Sequence, residues 1–267
     1  MMPQTEQIET VTSPDGTRIA FSRSGQGPPL LLVHGTGADR TRWTPVLPAF
    51  EKDFTVYCVD RRGRGGSGDA AEYAPEREFE DIAAVIDGIG EPVNLLGHSF
   101  GGLCALEAAL LTDGIRKLMV YEGTPISGFE LWRGEAVARI QELVDQGSRE
   151  EALIFFFREL VHLPPSEVEM LRGLPSWQGR VDAVHTIPRE LDAFNRYAFD
   201  PEKFRNLQVP TAFLVGGDNP PFMKAAAEAV HAILPNSQIV VLPGQRHIAM
   251  NTAPELFVQE VTTFLEA

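Results

Sequence analysis

A series of short, continuous apolar runs alternating with amphipathic stretches of helical length constrains this chain more than any other feature. Pro29–Val33, Phe54–Val59, Val93–Leu96, Lys117–Tyr121, Thr211–Val215 and Gln238–Leu242 are apolar enough to be buried on both faces. Most alternate with helical patterns at Pro75–Ile89, Leu103–Leu111, Pro221–Leu234 and Pro254–Leu265. Strands buried on both sides need helices over each face, and helical crossovers make neighbouring strands parallel. The predicted fold class is α/β, a mostly parallel sheet with helices on both faces. Ligands of such sheets bind beyond the C-terminal ends of the strands. Ile8–Thr12 and Arg18–Ser22, joined by Ser13-Pro14-Asp15-Gly16, add an opening hairpin.

Between Gly123 and Gln208 the alternation stops. Glu135–Gln146, Glu150–Val161 and Ser166–Arg172 read as amphipathic helices, so 124–208 is expected to be a helical cap inserted in a core formed by 1–123 and 209–267. Trp132, Phe155, Phe156, Phe157, Trp177, Phe194 and Tyr197 give this insertion a large apolar surface. Such side chains either pack the insertion on the core or line a pocket.

With 267 residues, 43% of them apolar and 22% charged, the chain is long and apolar enough for a packed core. A formal net charge of −14 opposes binding to nucleic acid or to an anionic membrane face and favours a neutral or apolar small molecule. Arg61-Arg62-Gly63-Arg64 is the one basic exception and reads as a structural turn after a strand. Cys58 and Cys104 both fall in buried-looking elements, which argues against a disulfide framework. No apolar run approaches membrane-spanning length, and Met1–Thr10 is polar and acidic, so a cytoplasmic location is the expectation.

Gly97-His98-Ser99-Phe100-Gly101 stands between the strand Val93–Leu96 and a helix starting near Gly102. That strand-turn-helix setting is what a Gly-x-Ser-x-Gly nucleophile elbow requires: a sharp turn exposes the serine, and small flanking residues let strand and helix approach. His34-Gly35-Thr36-Gly37 directly follows another strand. Acyl transfer develops charge on a carbonyl oxygen, and the backbone N–H groups of Thr36 and Phe100 are the candidate donors to it. Phe100 also starts a helix, whose dipole favours an oxyanion. Of the six histidines, His247 lies on a late loop at the catalytic edge and is the candidate general base.

A histidine acting on serine needs a carboxylate that fixes its tautomer and carries its positive charge. Two residues compete for that place. Asp218 follows Thr211–Val215 in Gly216-Gly217-Asp218-Asn219, where its alternative task is to cap the next helix. Glu122 ends Lys117–Tyr121, where its alternative is a solvated carboxylate.

Taken in order, the hairpin, His-Gly-Thr-Gly, Asp60-Arg61-Arg62-Gly63-Arg64-Gly65-Gly66-Ser67, Gly-His-Ser-Phe-Gly, the helical insertion, Gly-Gly-Asp and Gly-Gln-Arg-His resemble the α/β-hydrolase superfamily, in its capped esterase and lactonase branch. In that superfamily the acid usually follows the seventh strand, which maps onto Asp218. In zearalenone-type lactonases and some dehalogenase relatives it follows the sixth, which maps onto Glu122. The resemblance implies hydrolysis of a neutral, largely apolar ester or lactone through an acyl-serine, without metal or organic cofactor. Serine at the nucleophile position argues against dehalogenases and epoxide hydrolases. Carbon–carbon hydrolysis, cofactor-free perhydrolysis, a lyase reaction and a ligand sensor share the same residues and stay open. The substrate and the oligomeric state are not legible in the sequence.

Overall fold

The computed structural model describes residues 7–124 and 134–267. Eight strands form one sheet: β1 (Gln7–Thr12), β2 (Arg18–Gly25), β3 (Pro29–Val33), β4 (Thr55–Val59), β5 (Val93–His98), β6 (Ile115–Tyr121), β7 (Thr211–Gly216) and β8 (Ser237–Leu242). Their spatial order is β1-β2-β4-β3-β5-β6-β7-β8. β1 and β2 pair antiparallel with Thr12 opposite Arg18, the hairpin expected from the Pro-Asp-Gly turn, and β2 runs antiparallel to β4. Every other pairing is parallel.

The two-residue period of a strand explains how the apolar runs are used. In β3, Leu30 and Leu32 enter one hydrophobic cluster while Leu31 and Val33 enter another on the opposite face. Val56 and Cys58 divide from Tyr57 and Val59 in the same way. Each face therefore has its own apolar core under its own helices. Both cysteines are buried thiols outside any disulfide.

The helices in chain order are α1 (Leu47–Phe50), α2 (Pro75–Ile89), α3 (Phe100–Ala108), α4 (Gly134–Asp145), α5 (Arg149–Phe155), α6 (Pro165–Arg172), α7 (Trp177–Asp182), α8 (Ile187–Arg196), α9 (Pro221–His231), α10 (Ala249–Thr252) and α11 (Pro254–Glu266). No helix among the described residues is long and apolar enough to cross a membrane. The segment expected to run helically from Glu150 to Val161 is α5 followed by a π-helical turn over Phe156–Leu160, and α7 and α8 complete the helical run between β6 and β7. Phe156 and Phe157 are buried and border a small cavity, Phe194 borders a second, larger one, and Tyr197 donates to Glu107. Trp132 lies outside the described residues.

The helix after the nucleophile elbow starts at Phe100, earlier than the position near Gly102 read from the sequence. It starts there because the glycines let backbone touch backbone. A Cβ on Gly101 would lie 2.3 Å from the His34 carbonyl oxygen. The sheet's topological switch point falls between β3 and β5, whose C-terminal ends adjoin with Val33 opposite Gly97. The crevice opened there is where an α/β sheet receives its ligand.

Candidate active site

Ser99 sits at that crevice with φ 54° and ψ −130°, in backbone space that non-glycine residues rarely occupy. Its N–H donates to Tyr121 O at 2.8 Å, and its carbonyl accepts from Gly102 N at 2.7 Å. These two bonds hold the turn from both sides. The Ser99 hydroxyl does not cap α3, so it is free for other chemistry. A Cβ on Gly35 would stand 2.7 Å from Ser99 Cβ, so the loop after β3 is pressed against the nucleophile position. Thr36, Ser99, Phe100, Glu122 and His247 all border one cavity of about 220 Å³, whose other walls include Leu160, Val161, Leu191, Phe194, Phe222 and Met223.

Of the two competing carboxylates, Glu122 reaches the imidazole. Its Oε2 accepts from His247 Nδ1 at 2.6 Å, and its side chain is fully buried. Oε1 accepts from Gly216 N at 2.7 Å and from the Asn219 side-chain amide. Glu122 has φ 50°, a second strained residue directly after a strand, and its N–H is held by Leu214 O at 3.1 Å. Asp218 is exposed on the turn after β7, and among the described residues its carboxylate is not a partner of His247. Its backbone N–H donates to Gln245 O at 3.0 Å. The capping role is not realised either, since Pro220 precedes α9 and gives no side-chain cap. Of the two, Glu122 and not Asp218 meets the imidazole. The physical reason is direction: Glu122 points along the sheet edge into the crevice, whereas the Gly216-Gly217 turn carries Asp218 out to solvent.

Two residues not assigned a part from sequence, His98 inside the elbow motif and Tyr121 at the end of β6, hold the His247 loop. Tyr121 hydroxyl donates to Arg246 O and accepts from Ala249 N at 3.1 Å. His98 Nε2 donates to His247 O at 2.8 Å, with the two rings 4.6 Å apart. Burial, reinforced by the neighbouring His247, holds His98 well below the usual imidazole range, so it stays a neutral donor. Among the described residues Ser99 Oγ makes no hydrogen bond. Such contacts are often long before substrate arrives.

Sequence reasoning also missed Glu190 on α8, which has no motif around it. Its Oε2 accepts from Thr36 Oγ1 at 2.8 Å and its carboxylate pairs with Arg64 and Arg61. Burial alone pushes this carboxyl up, but the two guanidiniums and the hydrogen bonds from Arg64 and Thr36 outweigh it and bring it down to about 2. The basic run after β4 is structural, as expected, yet it is a buried hub and not an ordinary turn. Arg61 pairs with Glu78 at 2.7 Å, and Arg62 pairs with Asp81 at 2.7 Å and Asp15 at 2.9 Å. A solvated turn needs no partners; buried guanidiniums do.

A sheet of this order, with a strained serine at its switch point and a carboxylate–imidazole pair alongside, defines a hydrolase-type α/β protein. The chain belongs to the alpha/beta hydrolase family, whose model matches residues 30–260. It is similar to the solved alpha/beta hydrolase of Sphaerobacter thermophilus at 34% identity and a TM-score of 0.81, covering 96% of this chain and 100% of that one. It is also similar to the esterase RhEst1 of a Rhodococcus species, at 27% identity and a TM-score of 0.80 over 97% and 98% of the two chains. A third relative is the (E)-2-((N-methylformamido)methylene)succinate hydrolase of Acinetobacter baylyi, 26% identical over 92% of this chain and 93% of that protein.

Proposed function

We propose that the chain is a serine hydrolase cleaving a carboxylic ester or lactone through an acyl-serine intermediate. The observation that carries this reading is the 2.6 Å bond from His247 Nδ1 to a fully buried Glu122 carboxylate, in a cavity that also holds Ser99. With Nδ1–H committed to Glu122, the imidazole presents Nε2 as the base. Ser99 Oγ attacks the substrate carbonyl and its proton passes to Nε2. The carbonyl oxygen becomes an oxyanion, held by the backbone N–H groups of Thr36 and Phe100. The imidazolium then gives its proton to the departing alkoxide, leaving the acyl-serine. A water, deprotonated by the same nitrogen, releases the acid and restores Ser99. Esterase activity in RhEst1 supports this chemistry. The apolar walls of the main cavity suit an apolar acyl or alcohol group, and segment 124–208 acts as the cap that shapes it. The buried thiols of Cys58 and Cys104 suit a cytoplasmic enzyme.

The test is turnover of p-nitrophenyl butyrate by wild type and Ser99→Ala. A loss of roughly 10³-fold or more is expected. Equal rates would remove Ser99 from the reaction.

A further inference from the structure

A second cavity, of about 30 Å³, adjoins the main one and takes no part in the mechanism above. The two share Thr36, Ser99, Val161 and His247, and the smaller is further bordered by Arg42, His98 and Arg180. A cavity needs at least roughly 10–15 Å³ to hold one water. The space therefore admits a small polar group such as a carboxylate.

Its electrostatics are unusual for this molecule. Arg42 and Arg180 are each only 3% exposed, and among the described residues neither pairs with a carboxylate. Arg42 donates to Asn251 Oδ1 and to the Met250 sulfur; Arg180 Nη1 donates to Gly37 O at 3.1 Å. Among the described residues Arg180 Nε has no hydrogen-bond partner. The buried arginines of the β4 hub show the contrast, since Arg61, Arg62 and Arg64 all have acidic partners. Leaving a guanidinium dehydrated and uncompensated costs several kcal/mol, and a protein that pairs three of them leaves two open beside its nucleophile. Burial brings Arg180 down to about 10, with Asp39 partly restoring it, so it is still a cation at neutral pH.

We propose that this cavity is a carboxylate subsite, and that the substrate of Ser99 is an ester bearing a second, anionic carboxylate held by Arg180 and Arg42. The proposal rests on the hydrolytic reading of Ser99. It revises the expectation of a wholly neutral substrate: the apolar part occupies the main cavity and the charge the inner one. The net charge of −14 does not forbid this, because surface charges are screened over about 8 Å at physiological salt while dehydrated groups are screened far less.

Substrate pairs that differ only in charge test it. Monoethyl succinate is compared with ethyl succinamate for the acyl side, and acetoxyacetate with acetoxyacetamide for the alcohol side. For one of the pairs the wild type is expected to favour the anion in kcat/KM by roughly tenfold or more, the scale of a charge-assisted hydrogen bond. Arg180→Met and Arg42→Met are each expected to erase most of that ratio, and Arg180→Lys to retain part of it. A wild-type ratio of one or less in both pairs, or a ratio that survives both methionine variants, overturns the subsite. Should a variant not fold, the wild type alone decides: succinate or glycolate must inhibit p-nitrophenyl butyrate turnover at least tenfold more strongly than succinamide or glycolamide, and equal inhibition overturns the proposal. Calorimetric titration with succinate and glycolate reads the subsite without turnover. Binding that needs Arg180 in a protein cleaving no ester would keep the subsite and sink the acyl-serine reading.

Discussion

Glu122 occupies a left-handed backbone position, φ 50°, that costs a non-glycine residue of order 1–3 kcal/mol. Three donors on its carboxylate, from His247, Gly216 and Asn219, give the compensation. This makes the acid assignment testable at single-residue level. Glu122→Gln, compared at matched folded fraction, is expected to lower ester kcat by roughly 10³-fold or more, since a misoriented imidazole loses its tautomer. Asp218→Asn is expected to stay within about threefold, the range of an exposed surface change. A large loss in Asp218→Asn with a mild one in Glu122→Gln would reverse the assignment. Ser99 and His247 were legible because each sits in a local pattern, the elbow and the late loop, that is meaningful without coordinates. The acid was not, because Asp218 and Glu122 both lie at strand ends on the same edge, and only side-chain direction separates them. Glu190 and Arg180 carry no local pattern; their significance comes from partners more than a hundred residues away.

At the level of elements, the elbow and α8 carry the main strains and ties. Gly101→Ala would drive a Cβ to 2.3 Å from His34 O and 2.6 Å from Val33 O, backbone that cannot yield cheaply. A stability loss of about 1–3 kcal/mol in urea denaturation is expected, with esterase activity falling as α3 moves off β3. Unchanged stability would mean that the strand and helix are not locked together. Helix α8 is docked through Glu190, whose two guanidinium partners are buried with it. Glu190→Gln is expected to cost about 3–5 kcal/mol, the scale of leaving buried charges uncompensated. The acid dependence follows from the lowered pKa. The folded value is about 2 against an ordinary 4.5, so this stabilisation is fully present above about pH 4.5 and drains away as pH falls towards 2. Melting temperatures between pH 5 and 3 should fall more steeply for wild type than for Glu190→Gln. Parallel slopes would show that Glu190 is not the group responsible.

Over the whole molecule, the net charge of −14 and the buried guanidiniums of Arg42 and Arg180 act over different distances. At low salt the long-range field slows the approach of an anionic ester, and added salt shortens that field from about 30 Å to about 8 Å. The kcat/KM for the preferred anionic ester is therefore expected to rise about twofold or more between 0.01 and 0.15 M ionic strength, with its neutral isostere unchanged. A fall over the same range would mean that the field at the cavity mouth is positive. What the sequence by itself determined is whatever depends on neighbours in the chain: apolar runs that must be buried on both faces, helices that must cross over between them, and glycines that allow a serine turn. These requirements are local, and they sufficed for the sheet, the elbow and the helical run after β6. Only the tertiary structure decided which carboxylate meets the imidazole, which buried arginines have counter-ions and which do not, and where the cavities open. Those are properties of distance between segments far apart in sequence, and no periodicity along one segment encodes them.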